Sequence, residues 1–154
     1  MKRILVVEDD QDIRDLLVET LKRSGFETDT AENGKKGLEK FRSQKYDLIL
    51  TDIRMPVMDG LNMLKQIKKE NPKMPIVVVT AYPSVDSAVE CLVEGADDYL
   101  VKPVQFDDLD VKIKKALEKR KLQRSLTFRK ILNIVLILLI PIWVLIGFLL
   151  SKIF

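Results

Sequence analysis

Five short strand-like runs, each followed by a helical pattern, leave this chain few ways to fold. The runs cover residues 4–7, 26–31, 48–50, 76–79 and 99–101. Those at 4–7 and 76–79 are apolar throughout, as strands covered on both faces must be, whereas 26–31 alternates only weakly and reads as a strand nearer the sheet edge. Helical patterns lie between them. The first, over 11–24, places Ile13, Leu16, Leu17 and Leu21 on one face and stops at Gly25. A second is capped by Asn33 and carries Leu38 and Phe41; a third opens at Asp59 or Gly60 and stops at Asn71-Pro72. A fourth spans 84–94 up to Gly95, and a fifth spans 105–120 with Leu109, Ile113, Ala116 and Leu117 inward. Such alternation predicts an α/β fold, a doubly wound parallel sheet with right-handed crossovers.

In an open parallel sheet, ligands bind beyond the carboxyl ends of the strands, so the residues closing each run matter most. The first run ends in Glu8-Asp9-Asp10, the third in Asp52, the fourth in Thr80 and the fifth in Lys102. Hard oxygen ligands from Asp9 and Asp52, with Glu8 acting through water, suit Mg²⁺, which binds through one or two carboxylates plus a phosphate. Asp52 is then the nucleophile that forms an aspartyl phosphate, Lys102 supplies a point charge to the phosphoryl oxygens, and Thr80 supplies a hydroxyl donor. Each residue has a plainer reading. Asp52 could cap a turn, Asp9 or Asp10 could cap the first helix, Lys102 could be a solvated strand-end charge and Thr80 an ordinary strand former. Convergence at one sheet edge favours the chemical reading.

Four segments resemble the receiver domain of two-component response regulators: ILVVEDD at 4–10, LILTDIRMPVMDG at 48–60, VVVTAY at 77–82 and GADDYLVKP at 95–103. The resemblance covers residues 2–121. It implies a flavodoxin-like five-stranded sheet in the order 2-1-3-4-5, and Asp52 as acceptor of a phosphoryl group from a partner histidine kinase or histidine phosphotransfer protein. It implies Mg²⁺ held by Asp9, Asp52 and the backbone carbonyl of Arg54, with Glu8 standing where the family often has Asp. Thr80 and Tyr99 are the implied switch pair, altering the surface of the fourth helix, fifth strand and fifth helix. The Lys102-Pro103 bond is implied to be cis. The expected chemistry is self-catalysed phosphotransfer and dephosphorylation, without turnover of an external substrate.

The chain contains no histidine and a single cysteine, Cys91. A histidine triad, a histidine metal site, a disulfide framework and a thiol zinc cluster are all excluded, and any phosphohistidine belongs to a partner. The formal charge of +3 hides an asymmetry: residues 1–111 hold 16 basic against 22 acidic residues, and 112–130 hold nine basic against one acidic. No secretory signal core follows the N-terminus. Residues 131–150 are uncharged, the length of one membrane-spanning helix, interrupted by Asn133, Pro141 and Gly147. The expected organisation is therefore a receiver domain over 1–121, a basic juxtamembrane linker over 122–130 and a transmembrane helix over 131–150. The basic collar places the domain on the cytoplasmic side of the inner membrane, as a single-pass protein.

With no effector domain expected beyond the receiver, output would pass by protein contact to an unidentified partner, with no nucleic acid involved. The collar can also be read as a nucleic-acid surface, but its place beside an apolar stretch favours anionic lipid. The apolar stretch can also be read as a helix buried in a homo-oligomer, or as a hairpin turning at Pro141. Two other functions compete. A phosphohydrolase resembling haloacid dehalogenases would carry an Asp two residues after the nucleophile, where this chain has Arg54. A constitutive scaffold with a vestigial pocket would have no need of Asp9, Asp52, Thr80 and Lys102 together.

Overall fold

The structure, a computed structural model, describes residues 1–151, without side chains at 123, 124, 126–133, 139, 140 and 142–151. Strands β1 (Arg3–Val7), β2 (Glu27–Ala31), β3 (Leu48–Thr51), β4 (Ile76–Thr80) and β5 (Asp98–Val101) alternate with helices α1 (Gln11–Arg23), α2 (Gly34–Ser43), α3 (Gly60–Glu70), α4 (Val85–Val93) and α5 (Phe106–Ser151). The strands are all parallel, in the flavodoxin-like order β2-β1-β3-β4-β5. The chain divides into two compact units, Met1–Arg120 and Lys121–Phe154.

Strand alternation sorts the apolar residues into two cores. On one face Leu5, Val7, Ile49, Ile76 and Val78 pack with Leu38 of α2, with Met63, Leu64 and Ile67 of α3, and with Cys91 of α4. On the other, Ile4, Val6, Leu48, Leu50, Val77 and Val79 meet Leu17 and Leu21 of α1 and Leu109, Ile113 and Ala116 of α5. Each fully buried Leu or Ile contributes about 1.5–3 kcal/mol, more than any single cap or surface ion pair, so this sorting decides the fold.

Four helices begin at a capping side chain. Asp10, Asn33, Asp59 and Ser84 each accept a backbone N–H from the first turn of α1, α2, α3 and α4. Asp10 thus serves the helix, and Asp9 is left to the site. Gly60 is required by close approach: a Cβ there would lie 1.8 Å from the Asp52 carbonyl oxygen, so only glycine lets α3 start hard against the end of β3.

One reading changes. Leu16, expected inward, is 63% exposed. It lines a groove of about 570 Å³ with Ile13, Val104 and Phe106, beside Lys102 and Pro103; the helix period turns Leu17 and Leu21 inward and leaves Leu16 at the margin. Residues 122–130, expected as a basic linker, continue α5 as helix. No Gly or Pro occurs between 104 and 140, and Lys, Leu, Gln and Arg favour helix. The stretch 131–150 is helical, with Pro141 inside the helix. Most of its side chains lie outside the described residues, and among the described residues no helix is long and apolar enough to cross a membrane.

Candidate functional site

The register brings the strand ends together. Val7 of β1 pairs with Thr51 of β3, so Glu8 and Asp9 emerge beside Asp52, and Thr80 pairs with Val101 at the start of the Lys102 segment. Parallel pairing is what makes this possible, because it sends every carboxyl end to one edge.

Glu8 and Asp52 are buried, at 1% and 6% exposure, while Asp9 is open to solvent. Among the described residues these three form the group able to hold a metal ion, with ligand oxygens all within 4.8 Å of one another. The Lys102 ammonium lies between two of them, 2.6 Å from Glu8 Oε2 and 2.8 Å from Asp52 Oδ2. The Lys102-Pro103 peptide is cis. Burial holds the Glu8 carboxyl above its ordinary value, against the opposing pull of Lys102. Burial also works against the Lys102 charge, but hydrogen bonds and charge from Asp52 and Glu8 outweigh it and raise its pKa.

The other Asp52 oxygen, Oδ1, accepts the N–H groups of Ile53 and Arg54, the latter at 3.3 Å. This fixes the carboxylate at the mouth of the loop. Thr80 is fully buried and its hydroxyl accepts the Tyr82 N–H at 3.2 Å. Tyr99 packs its ring partly into the core, with its hydroxyl 3.3 Å from Ser87 Oγ on α4. Thr80 and Tyr99 therefore sit on adjoining strands but are engaged with different partners.

Three features escaped the sequence reading. The Arg14 guanidinium of α1 donates to the carbonyls of Glu8 and Asp9 at 2.7 and 3.2 Å, bracing the acidic loop from behind; its only signal was an arginine four residues into the helix. Val57, in the loop after Asp52, has φ +70, a conformation that β-branched residues rarely adopt. The turn is closed by the Met58 N–H on the Pro56 carbonyl at 2.8 Å. The third is the stacking of Arg54 on Tyr82.

A magnesium ion fits this donor set. The ligands are hard carboxylate oxygens, and the exposed side at Asp9 leaves room for the waters this ion retains.

The profile of the response regulator receiver domain matches residues 4–114. The chain belongs to the response regulator receiver family. It is 47% identical over 122 residues to the transcriptional regulatory protein ZraR of Klebsiella oxytoca, covering 79% of this chain and 28% of that protein. It is 40% identical over 122 residues to the DNA-binding transcriptional regulator NtrC of Escherichia coli K12, covering 79% and 26%. The chain thus spans about a quarter of the length of these relatives. The expectation of no nucleic-acid partner does not fit them, since they are named as regulators of transcription.

Among solved structures, the chain is similar to a receiver domain protein of Clostridium thermocellum (34% identity, TM-score 0.76, covering 80% of this chain and 99% of that one). It is also similar to the response regulator TrrA of Thermotoga maritima in complex with Mg(2+)-BeF (46% identity, TM-score 0.70, covering 75% and 99%). As a receiver, the chain has a histidine kinase as its implied partner and an acidic cluster of the kind that binds Mg²⁺ in its family.

Proposed function

We propose that the chain is a phosphorylation-controlled switch whose acceptor is Asp52, tethered to the cytoplasmic face of the membrane by residues 131–150. The observation that carries this reading is the placement of Asp52, buried at a strand end with Lys102 on one oxygen and two further carboxylates within 4.8 Å.

An Asp52 carboxylate oxygen attacks the phosphorus of a phosphohistidine on the partner kinase. The new O–P bond forms as the P–N bond breaks, and the imidazole leaves, taking its proton from solvent. Asp9, Asp52 and the Arg54 carbonyl would hold Mg²⁺, with Glu8 acting through water. When bound, the ion offsets repulsion between the acceptor carboxylate and the incoming phosphoryl oxygens. Lys102 stays within reach of those oxygens and takes up charge as it accumulates, while the Ile53 and Arg54 N–H groups hold Asp52 in line. The Thr80 hydroxyl then turns from Tyr82 toward the phosphoryl group and Tyr99, whose ring already packs partly into the core, moves with it, changing the face of α4, β5 and the start of α5. That face already exposes Val85, Val89, Leu92 and Val93, an apolar surface on which a protein partner can read the change. The chemistry is self-catalysed transfer and loss of one phosphoryl group, without turnover of an external substrate.

Tethering rests on twenty uncharged residues behind a basic collar. Five consecutive side chains in that stretch, Ile134 to Leu138, are all exposed, so the helix is apolar and uncovered on every side there. A soluble reporter carrying residues 121–154 should stay with membranes through alkaline carbonate washing; release into the supernatant would end the tethering proposal.

The phosphoacceptor reading is tested by intact-mass analysis of the full chain in detergent, with acetyl phosphate and Mg²⁺. One phosphoryl group should be gained, only when Mg²⁺ is present. A folded protein that gains none would overturn it.

A further inference from the structure

One contact across the mouth of the site has no part in the proposed chemistry. The Arg54 guanidinium lies 4.8 Å from the centre of the Tyr82 ring, joining the loop after β3 to the loop after β4. A cation at that distance from a ring face is attracted to it. Each partner is also tied to a group in the site. The Arg54 N–H donates to Asp52 Oδ1 at 3.3 Å, and the Tyr82 N–H donates to the Thr80 hydroxyl at 3.2 Å. Tyr82 is 61% exposed, so no core packing holds its ring in place. Pro83 follows it and restricts its backbone to extended conformations.

We propose that Arg54 and Tyr82 form a latch that holds the Thr80 loop in its unphosphorylated arrangement. Both are positioning residues, acting through Thr80. This rests on the reading of Asp52 as phosphoacceptor and Thr80 as the switch hydroxyl. For Thr80 to turn toward a phosphoryl group its oxygen must give up the Tyr82 N–H, and the turn that shifts carries the ring off Arg54. The latch opposes the switch by the strength of one exposed cation–π contact, about two- to fivefold in the equilibrium.

Two measurements on the full chain in detergent test it, using Arg54→Met, Tyr82→Leu, the double variant and Tyr82→Phe. Arg54 and Tyr82 are both exposed, so the variants leave the core intact. First, hydrogen exchange of the residue 82 amide is followed by NMR without phosphodonor, each rate taken relative to its intrinsic value. Arg54→Met and Tyr82→Leu should each speed exchange about two- to fivefold, the double variant should add nothing, and Tyr82→Phe, which keeps the ring, should match the parent. Second, the dissociation constant for beryllofluoride with Mg²⁺ should tighten by the same factor in each single variant, again without further gain in the double.

Unchanged exchange in the single variants, additive effects in the double, or unchanged or weaker beryllofluoride binding would overturn the latch. Parent protein that takes no beryllofluoride would overturn the phosphoacceptor reading instead, and the exchange measurement would still decide whether the restraint exists.

Discussion

The two edges of the sheet handle carboxylates in opposite ways. At the amino edge, Asp47 faces Lys2 at 3.2 Å and Arg120 at 3.7 Å and accepts the Arg3 N–H. Asp97 faces Lys68 at 3.2 Å and Lys119 at 2.9 Å and accepts the Ile76 N–H. These two acids meet four cations between them, and the Arg120 guanidinium also donates to the carbonyls of Tyr46 and Asp47. At the carboxyl edge, three acids, Glu8, Asp9 and Asp52, gather around a single ammonium, Lys102. The amino edge is neutralised by the chain itself and closes the fold. The carboxyl edge is left over-acidic, a state that costs stability and is relieved when a cation arrives. One edge is built for holding and the other for binding.

The largest expected effects come from removing one acid at each edge. Asp52→Asn should abolish the whole Mg²⁺-dependent phosphoryl gain by intact mass while changing stability by no more than about 1 kcal/mol, because relief of acid crowding offsets the lost Lys102 contact. Asp97→Ala should do the reverse. It leaves the largely buried Lys68 ammonium, 13% exposed, without its carboxylate and the Ile76 N–H without its acceptor. Chemical denaturation should show a loss of about 3 kcal/mol, with phosphoryl uptake retained. If Asp97→Ala abolished uptake without loss of stability, the division of labour would be false.

Glu8→Gln sharpens the comparison within the carboxyl edge. The amide oxygen can keep the Lys102 hydrogen bond while one negative charge is lost. Mg²⁺ affinity, read by titration calorimetry, should weaken about tenfold, as for loss of an outer-shell partner. Stability without Mg²⁺ should hold or rise, within about 1 kcal/mol, since a carboxyl whose ionisation burial disfavours has been removed. A drop as large as that of Asp97→Ala would mean that Glu8 is structural, as the amino-edge acids are.

The carboxyl edge was far more legible in the sequence than the amino edge, for a physical reason. Parallel strands all end on one side, so Glu8, Asp9, Asp52, Thr80 and Lys102 can be assembled once the five strand-like runs are counted, and helix caps are local patterns of a few residues. The amino-edge pairs join residues such as Lys68 with Asp97 and Arg120 with Asp47, whose meeting depends on helix length and packing. A lysine near a helix end reads as a solvated charge until that packing is known. The same limit hid Arg14 and the Arg54–Tyr82 contact, and it placed Leu16 inward when one helical step decides between core and groove margin.

The smallest expected effect separates the edges by the sign of their pH dependence. Burial works against the Asp47 charge, but the Arg3 N–H, Lys2 and Arg120 outweigh it and hold its carboxyl below the ordinary 3.8. Its contribution to stability is therefore fully present above pH 3.8 and is lost as pH falls through the folded-state value. Asp47 is 27% exposed, so this limb should amount to less than about 1 kcal/mol. Glu8 runs the other way. Its carboxyl is held above the ordinary 4.5, chiefly by burial, so the unfolded chain releases the proton first and stability declines as pH rises from 4.5 through the folded-state value. In denaturation series without Mg²⁺, Asp47→Asn should flatten the acid limb below pH 3.8, and Glu8→Gln should flatten the decline above pH 4.5. Added Mg²⁺ favours the ionised carboxylates at its own edge only, so it should erase the Glu8 decline and leave the Asp47 limb in place. Equal action of Mg²⁺ on both limbs would show that the two edges are coupled and that the acidic surplus is not confined to the site.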